Sequence, residues 1–378
     1  MLAALSACQT SSGVDTEKDL SLEQATSTSY LETVTASAYF SGPPEDGDQP
    51  GFVIFVHEDG SLDRLEVDSM DAGEIVSNSE NQVMFTSPSG MQTLGADGRG
   101  LTEIDWGESD PSGHWSGTHG QDEFVATFNS GFGSESYVTD VFSMNGDSLA
   151  HSVVPDIPGA MGVVGSTLYS LNGTGGANVD EEVRLYATDL TSPDSTKKVT
   201  SWEINPDQAE WDSSRSLHFN DGHLWYLETL TSDTGESVRL VRLEPHSGDR
   251  ESTELTTYDD TFWYGADHSA LGFASSHGHV WDGAMFTVAH DGTIVAADLE
   301  TRTLREVGEV SDEATQATYA AVGWRDDQMA VLHFDEGGTG ALEIYDLESG
   351  DRKVVVDTSP LGDLLTTRDA NPSSLTLQ

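Results

Sequence analysis

Three stretches of the chain place tryptophan near histidine, arginine or aspartate in a way that suits the binding of a sugar. Flat aromatic rings cover the apolar face of a pyranose, while carboxylate, guanidinium and imidazole groups hold its hydroxyls. The candidate ligand-binding residues are Trp106, His114, Trp115, His119, Trp211, Arg215, Trp263, Tyr264, Asp267 and His268. The alternative interpretation is that these aromatic residues pack in the protein core, since tryptophan is highly buried on average.

Several histidines raise the question of a metal site. They are His114 and His119, His218 and His223, His268, and His277 and His279. Zinc would need three or four of them around one ion, and the sequence has neither an HExxH motif nor the paired cysteines of structural zinc sites. The acidic turns at 45–48 and 180–182 do not follow a calcium-loop pattern. We therefore predict no bound metal and no cofactor.

Catalytic motifs are mostly missing from the sequence. It has no GxSxG nucleophile elbow, no Gly-rich phosphate loop ahead of a helix and no dinucleotide-binding fingerprint. Neighbouring carboxylates such as Asp259 and Asp260, with Asp267 nearby, suit glycoside chemistry. Such pairs also arise by chance among 66 acidic residues. We therefore expect a binding protein rather than an enzyme, with a carbohydrate-active hydrolase or lyase as the alternative.

The single cysteine, Cys8, lies in a context typical of bacterial-type lipoproteins. Residues 5–8 match a lipobox, and the apolar residues before them resemble the end of a signal peptide without its basic region. We predict that 1–8 is a truncated signal remnant ending at lipidated Cys8, and that 9–29 is a polar tether. A lipid on Cys8 would anchor the protein to the outer face of the cell membrane. The alternative is a chance match at the N-terminus.

The chain is strongly acidic. It carries 66 Asp and Glu against 16 Lys and Arg, a formal net charge of −50. Such a surface repels itself at low ionic strength, so adaptation to salt is our first interpretation and a basic partner the second. Nucleic acid is disfavoured as a partner, because little in the composition would neutralise phosphates. No apolar run approaches the roughly 20 residues of a membrane span.

A sequence repeat indicates which elements must position the candidate residues. One hairpin pattern, two short alternating apolar runs joined by a polar turn, recurs seven times. Its turns lie at 57–60, 96–99, 144–147, 190–193, 245–248, 299–302 and 347–350. Their spacing of roughly 40 to 55 residues is the period of β-propeller blades. The sequence therefore predicts an all-β propeller over 30–378, with seven blades of four antiparallel strands.

The same pattern predicts the blade boundaries, although counts of six or eight blades stay open because the first blade is irregular. The blades are placed at 30–69, 70–108, 112–156, 157–206, 211–258, 266–310 and 316–360. The first lacks an innermost strand A of its own, and residues 373–377 are predicted to supply it and close the ring. Connections from strand D of one blade to strand A of the next share one face of a propeller, and the three aromatic stretches fall in such connections.

Two strand-and-turn segments, 295–301 and 344–350, resemble the repeats of quinoprotein-like and YVTN-type propellers. The resemblance covers most of the chain and implies the propeller architecture. The cofactor set of pyrroloquinoline-quinone enzymes is not recognisable in the sequence. Trp281 and Asp282 are not a WD40 signature, because the pair occurs once and at the wrong end of a strand.

These features predict a surface lipoprotein, located outside the cytoplasm, whose propeller is a binding or scaffold module. The expected ligand is a carbohydrate or another component of the cell envelope. An envelope protein is the other expected partner, since lipoprotein propellers that help to build envelope complexes are similar in architecture. We expect a monomer.

Overall fold

The computed structural model describes residues 17–20, 34–41, 50–79, 82–95, 101–106, 112–119, 123–132, 137–145, 148–172, 182–203, 210–232, 235–258, 262–263 and 270–378. The predicted signal remnant with Cys8, most of the predicted tether and the acidic turn at 45–48 lie outside these residues. Within the described ranges, no helix combines the length and apolarity that a bilayer crossing requires.

Seven antiparallel sheets follow one another along the chain. Blade 1 contains β2 (Val34–Ser41), β3 (Pro50–His57) and β4 (Leu62–Asp68), and blade 2 contains β5 (Ile75–Ser77), β6 (Val83–Ser87), β7 (Gly90–Leu94) and β8 (Leu101–Glu103). Blade 3 contains β9 (Ser112–His119), β10 (Glu123–Phe132), β11 (Tyr137–Asn145) and β12 (Ser148–Pro155), and blade 4 contains β13 (Pro158–Val164), β14 (Thr167–Asn172), β15 (Glu182–Asp189) and β16 (Lys197–Glu203).

The second half of the ring repeats this plan. Blade 5 contains β17 (Glu210–Ser213), β18 (His218–Asn220), β19 (His223–Ser232), β20 (Gly235–Leu243) and β21 (Arg250–Tyr258). Blade 6 contains β22 (His279–Trp281), β23 (Ala284–Val288), β24 (Thr293–Asp298) and β25 (Leu304–Glu309), and blade 7 contains β26 (Tyr319–Arg325), β27 (Gln328–Phe334), β28 (Gly340–Asp346) and β29 (Arg352–Asp357). Each of the seven repeated turns lies between strands C and D of its blade. The predicted all-β, seven-bladed architecture is confirmed.

The C-terminal strand β30 (Asn371–Leu377) closes the ring. It pairs antiparallel with β2, from Ala36 opposite Leu377 to Ser41 opposite Asn371, and so becomes strand A of blade 1. Ser374 Oγ also accepts a hydrogen bond from the backbone amide of Ile75 in blade 2, at 3.2 Å. The predicted return of the C-terminus is confirmed, and it joins the two ends of the chain in one sheet.

Two strands depart from the four-stranded plan. β1 (Glu17–Leu20) lies within the predicted tether and pairs in parallel with β4, on the outer edge of blade 1. In blade 5, β17 and β18 both pair with β19, so that strand A is interrupted between them. The interruption covers residues 214–217, which belong to the inner edge of the blade.

The hydrophobic core lies between the blades, because neighbouring sheets cover both faces of each sheet. Tyr39 and Phe55 of blade 1 pack with Phe85 of blade 2, and Met84 of blade 2 packs with Phe124 of blade 3. All five side chains are at most 2% exposed. Burial of an apolar side chain of this size contributes roughly 1.5–3 kcal/mol. These contacts hold the inner strands in a fixed frame.

In the described part of the chain, three short helices lie in connections between strand D and the next strand A. They are α1 (Ala270–Ser275) before blade 6, α2 (Asp312–Thr315) before blade 7, and α3 (Gly362–Thr366), which follows a 3-10 turn at Ser359–Leu361 and precedes β30. Ser311 caps α2, and its side chain accepts a hydrogen bond from the Ala314 amide. The helices therefore lie where the chain enters strand A of blades 6, 7 and 1.

Candidate functional site

Trp115 and Trp263 lie in the core between the blades. Their exposed fractions are 8% and 1%, respectively. Trp115 packs with Val125 and Met161, and the indole nitrogen of Trp263 donates a hydrogen bond to Thr287 Oγ1 at 3.3 Å. The expectation that these two rings are exposed for stacking on a sugar is therefore corrected, because protein atoms cover them.

Trp106 is partly buried and packs edge-on against two phenylalanine rings of blade 3. The ring centroids lie 4.7 Å apart for Phe128 and 5.3 Å apart for Phe142. The indole nitrogen donates a hydrogen bond to the carbonyl oxygen of Pro88 at 2.5 Å. Through these contacts the Trp106 ring packs between blades 2 and 3, as the alternative interpretation of the aromatic residues predicts.

Other candidate residues fall on parts of the chain that the structure does not describe in full. Outside the described residues lie Tyr264, Asp267, His268, Asp259 and Asp260. For two more the backbone alone is described: His119 ends β9, and Trp211 lies in β17. Their part in ligand binding stays a prediction.

Arg215 lies at the innermost edge of blade 5, within the interruption of strand A. Its amide donates a hydrogen bond to the carbonyl oxygen of Ser276, ahead of β22 in blade 6, at 2.8 Å. Its carbonyl oxygen accepts a hydrogen bond from the amide of Met161 in blade 4, at 2.9 Å. Both neighbouring blades therefore hold the backbone from which the guanidinium group extends.

Close approach of blades 4 and 5 beside Arg215 depends on Gly162. A Cβ atom at this position would lie 1.8 Å from the carbonyl oxygen of Leu217. The same approach allows the Leu217 amide to donate to the Met161 carbonyl oxygen at 2.7 Å. The absence of a side chain at Gly162 is thus what lets the inner edges of the two blades hydrogen-bond.

His114 lies in β9, strand A of blade 3, and one hydrogen bond fixes its imidazole. Nε2 is 2.8 Å from the carbonyl oxygen of Pro158, the first residue of β13. Because a carbonyl only accepts, Nε2 carries the hydrogen. Burial lowers the pKa of His114 to about 4, with a further contribution from the charge of Arg215, although the bond to Pro158 acts in the opposite direction. The ring is therefore neutral at physiological pH.

His277 and His218 are two partly buried imidazoles between blades 5 and 6. His277 Nδ1 lies 3.4 Å from Ser216 Oγ, and His218 Nε2 lies 3.2 Å from the carbonyl oxygen of His277. Burial is the main cause that lowers the pKa of His277 to about 3 and that of His218 to about 4. The charge of Arg215 lowers the pKa of His277 further.

Glu74 immediately precedes β5, strand A of blade 2. Its Oε2 accepts a hydrogen bond from Ser374 Oγ at 3.1 Å. Burial raises the pKa of Glu74 to about 7, and the Ser374 hydrogen bond and the charge of Arg215 offset only part of that rise. The carboxyl group therefore takes up a proton near neutral pH.

We use the name channel cluster for Glu74, His114, Arg215 and His277, which belong to blades 2, 3, 5 and 6. All four lie at the inner edge of their blades, and the charge of Arg215 acts on the pKa of each of the other three. One cation, two neutral imidazoles and a carboxyl group near its pKa offer hydrogen-bond donors and acceptors to a small polar ligand.

Two of the predicted ligand-binding residues, His114 and Arg215, are members of the channel cluster. Sequence reasoning missed Glu74 and considered His277 only as a metal ligand. The signal that could have found them is position, because Glu74, His114 and His277 lie within two residues of the start of a strand A, and Arg215 lies where strand A of blade 5 is interrupted.

Three of the histidines near the channel lie within hydrogen-bond distance of backbone carbonyls. His279, like His114 and His218, places Nε2 near a carbonyl oxygen, that of Asp326 at 3.0 Å. Among the residues that the structure describes, no three His, Cys, Asp or Glu side chains are grouped as a metal ion requires. His268 is outside that set.

Solved structures with a similar fold include a peptidase, a hydrolase and a further protein of similar length. A puromycin-hydrolyzing peptidase of Mycobacterium tuberculosis is 10% identical with a TM-score of 0.54, and the match covers 89% of this chain and 55% of the peptidase. A puromycin hydrolase mutant complexed with PGG is 13% identical with a TM-score of 0.51, over 86% of this chain and 52% of that one. Apo AztD from Citrobacter koseri is 12% identical with a TM-score of 0.47, over 91% and 98%. The chain spans about half the length of the peptidase and of the hydrolase, and its likeness to these two shows a shared fold alone.

No curated protein matches the chain in sequence. A family model does match it, over residues 29–377, which include all seven blades and the closing strand. The chain therefore belongs to the YycP beta-propeller domain family.

Proposed function

We propose that this protein is a membrane-anchored lipoprotein outside the cytoplasm whose propeller binds a small polar ligand at the channel cluster. The observation that carries the proposal is the convergence of Glu74, His114, Arg215 and His277 from four blades. Burial of such groups costs free energy, so packing alone does not account for their meeting at one place. Groups with strongly shifted pKa values are typical of functional sites.

The ligand class that fits best is a carbohydrate or another hydroxyl-rich component of the cell envelope. Since Trp115 and Trp263 are buried, its recognition rests on hydrogen bonds rather than on stacking against these rings. The closed ring holds the channel cluster in place before binding, which reduces the entropy cost of complex formation. If the partner is an envelope protein, a polar side chain of that protein occupies the cluster.

The proposed membrane anchor is a lipid on Cys8. β1 begins at Glu17 on the outer edge of blade 1, nine peptide steps after Cys8. Nine residues reach at most about 32 Å. The lipid therefore holds the rim of blade 1 near the membrane surface.

Replacement of Cys8 tests the anchor. In cells, the wild-type chain is expected in the membrane fraction with the added mass of a lipid, and Cys8→Ala is expected to be released. Ser11→Ala, a nearby polar position, is the matched control and should stay with the membrane. Full retention of Cys8→Ala on the membrane would contradict the anchor.

Glu74 gives some support to the alternative, a carbohydrate-active hydrolase or lyase. A carboxyl group with a pKa of about 7 suits a general acid at neutral pH. Glycoside hydrolysis also needs a second carboxylate, and the predicted pair Asp259 and Asp260 lies outside the described residues. Turnover of an envelope polysaccharide that is lost in Glu74→Gln would favour this alternative over a binding module.

A thermal-shift screen of the full chain tests ligand binding. The panel contains envelope polysaccharides, neutral and acidic monosaccharides, divalent metals and a chelator. A ligand at about 100 times its dissociation constant adds about 2.7 kcal/mol, which raises the melting temperature of a domain of this size by about 3 °C.

Two variants locate the binding site of any ligand found in the screen. The shift should shrink in His277→Gln and persist in His246→Gln, since His246 is exposed in a turn between strands C and D. No shift across the panel, or an undiminished shift in His277→Gln, would contradict the proposed binding site.

A further inference from the structure

The outermost strand of blade 7 exposes apolar side chains at the rim of the ring. This strand, β29, contains three consecutive valines. Val354 is 41% exposed and Val355 is 55% exposed, the highest value among the large hydrophobic residues that the structure describes. β-Branched residues favour strands, and an outermost strand with apolar side chains is a template for pairing with a further strand.

The backbone of Val355 points away from its own sheet. The Thr358 amide donates a hydrogen bond to the Gly340 carbonyl oxygen at 3.0 Å, and Val355 lies opposite Glu343 in the same ladder. Hydrogen-bonded and non-hydrogen-bonded pairs alternate in an antiparallel ladder, so Val355, three residues from Thr358, belongs to a non-hydrogen-bonded pair. Its amide and carbonyl groups are therefore directed outward, where none of the described strands pairs with β29.

The chain itself occupies the corresponding edge of two other blades. In blade 1, β1 pairs with the outer strand β4. In blade 3, the carbonyl oxygen of His151 on the outer strand β12 accepts a hydrogen bond from the Asp194 amide in a turn of blade 4, at 3.3 Å. Beside blade 7, the turn of blade 1 approaches a side chain instead, since a Cβ atom on Gly60 would lie 3.9 Å from Val356 Cγ1. The outward backbone groups of Val355 are thus available to a strand from another molecule.

The sequence of β29 is complementary to itself about Val355. In an antiparallel pair of two β29 strands, related by a two-fold axis beside Val355, Val354 lies opposite Val356 of the second copy. The same register places Lys353 opposite Asp357, once on each side of the axis. Apolar β-branched residues and opposite charges that face each other across an antiparallel pair stabilise it.

Neighbouring registers lack this complementarity. A shift by two residues in one direction brings Asp351 opposite Asp357, and like charges in that position are destabilising. A shift by two residues in the other direction brings Val355 opposite Asp357 and removes the pair of opposite charges. A shift by one residue turns an inward-facing backbone position toward the partner strand. The self-pairing that satisfies both backbone and side chains is therefore the one centred on Val355.

We propose that two copies of this chain associate edge to edge through β29, in an antiparallel pairing centred on Val355. A weak dimer thus replaces the monomer expected from the sequence, because a contact of about six residues on each side is small. Each copy has a formal net charge of −50, so the two copies repel each other at low ionic strength. Salt at about 1 M shortens the Debye length to about 3 Å and screens this repulsion, so the dimer is favoured in salt.

Sedimentation equilibrium of the full chain measures the association. In about 1 M salt we expect a monomer–dimer equilibrium at protein concentrations up to about 100 µM, and weaker association in about 0.1 M salt. Val355→Lys places two like charges on the axis and should weaken the dimer roughly 10-fold or more. Val153→Lys is the matched control, because Val153 is a 37% exposed valine of the outer strand β12 in blade 3. This variant should associate like the wild type.

A disulfide across the axis tests the register. Paired residues that exchange both backbone hydrogen bonds have Cα atoms about 5.5 Å apart, which suits a disulfide. Because Cys8 is the single cysteine, the test uses Cys8→Ser chains. Oxidation should convert Val355→Cys into a covalent dimer, whereas Val153→Cys should stay largely monomeric. Melting curves check that each variant is folded.

The outcomes do not depend on ligand binding at the channel cluster. A wild-type chain that stays monomeric in both salt concentrations, up to about 100 µM, would overturn the proposal and leave the edge of β29 to a strand of another protein. A dimer that persists in Val355→Lys, or equal crosslinking of Val355→Cys and Val153→Cys, would overturn the role of β29. Loss of the dimer in Val355→Lys alone, with selective crosslinking of Val355→Cys, would support it.

Discussion

Acid should destabilise the fold because it protonates the partly buried histidines near the channel more readily in the unfolded chain than in the folded one. His277 gives the sharpest test. Its pKa lies at about 3 in the folded protein, because of burial and then the charge of Arg215, against 6.5 ordinarily. A base whose folded-state pKa is lowered contributes stability that is complete above its unfolded pKa and is lost as the pH falls. The loss through His277 therefore begins near pH 6.5 and continues to about pH 3.

The magnitude follows from the two pKa values. At pH 5 an imidazole with a pKa of 6.5 is protonated in about 30 of every 31 unfolded chains, while the folded imidazole is neutral. Through His277 alone, the free energy of unfolding is therefore about 2 kcal/mol lower at pH 5 than at pH 8. Glutamine does not titrate. From pH 8 to pH 5, the free energy of unfolding of His277→Gln should therefore fall by about 2 kcal/mol less than that of the wild type.

Urea denaturation, followed by tryptophan fluorescence in about 1 M salt, measures the difference. The comparison uses the change with pH within each protein, so a constant cost of the substitution cancels. His246→Gln, at an exposed turn position, is the control for the substitution and should keep the wild-type pH dependence. A wild-type pH dependence in His277→Gln as well would refute the burial of a neutral His277 beside Arg215.

Three other predictions concern the carboxyl group of the channel cluster, the contact between blades and the charged surface. Burial raises the pKa of Glu74 to about 7, so its ionisation makes the fold less stable as the pH rises from 4.5 through 7. Between pH 5 and pH 8, the free energy of unfolding of Glu74→Gln, measured by urea denaturation, should therefore rise by about 2–3 kcal/mol relative to that of the wild type. The same pH dependence in both proteins would show that the carboxyl group is solvated. Gly162→Ala should lower the free energy of unfolding by about 3 kcal/mol or more, because its Cβ would lie 1.8 Å from the Leu217 carbonyl oxygen. The control Gly165→Ala should lower the free energy of unfolding by only about 1 kcal/mol, since Gly165 has a φ of +59° and a Cβ there would meet open space. Equal losses in the two variants would show that blades 4 and 5 are not in close contact. The melting temperature should rise between about 0.1 and 2 M salt as the repulsion within the −50 chain is screened, and a melt insensitive to salt would exclude salt adaptation.

The strands of the blades are predictable from the sequence because each belongs to a local hairpin with its own alternation and turn. In the turn at 347–350, the Ser349 amide donates to Asp346 Oδ1 at 2.8 Å, and Gly350 adopts a φ of +74° that favours glycine. Ring closure is predictable for a related reason. A first blade without a strand A leaves an edge, and the residues that became β30 are the remaining apolar stretch able to cover it.

β1 lies beyond sequence-based prediction because its pairing depends on the edge of another strand. The residues of β1, Glu17–Leu20, are mostly charged and have little intrinsic preference for a strand. They pair because β4 presents an unpaired outer edge. The resemblance to quinoprotein-like and YVTN-type propellers and the lipid on Cys8 stay predictions.

The channel cluster is hard to predict because its properties arise only when the ring is closed. Nothing in the sequence distinguishes Glu74 from the rest of the 66 acidic residues. Its raised pKa comes from burial at a place where β30 brings Ser374 and blade 5 brings Arg215. The tryptophans show the same limit, since a ring such as Trp263 suits both stacking and packing, and its burial decides between them.

A crystal structure of the full chain with the strongest hit of the sugar panel tests the central claim most directly. The claim is that the inner edge of the ring, at the channel cluster, is the ligand-binding site. The expected result is ligand density in contact with the Arg215 guanidinium and the His114 and His277 imidazoles. Density on the outer rim of a blade, with the channel cluster unchanged, would contradict the claim.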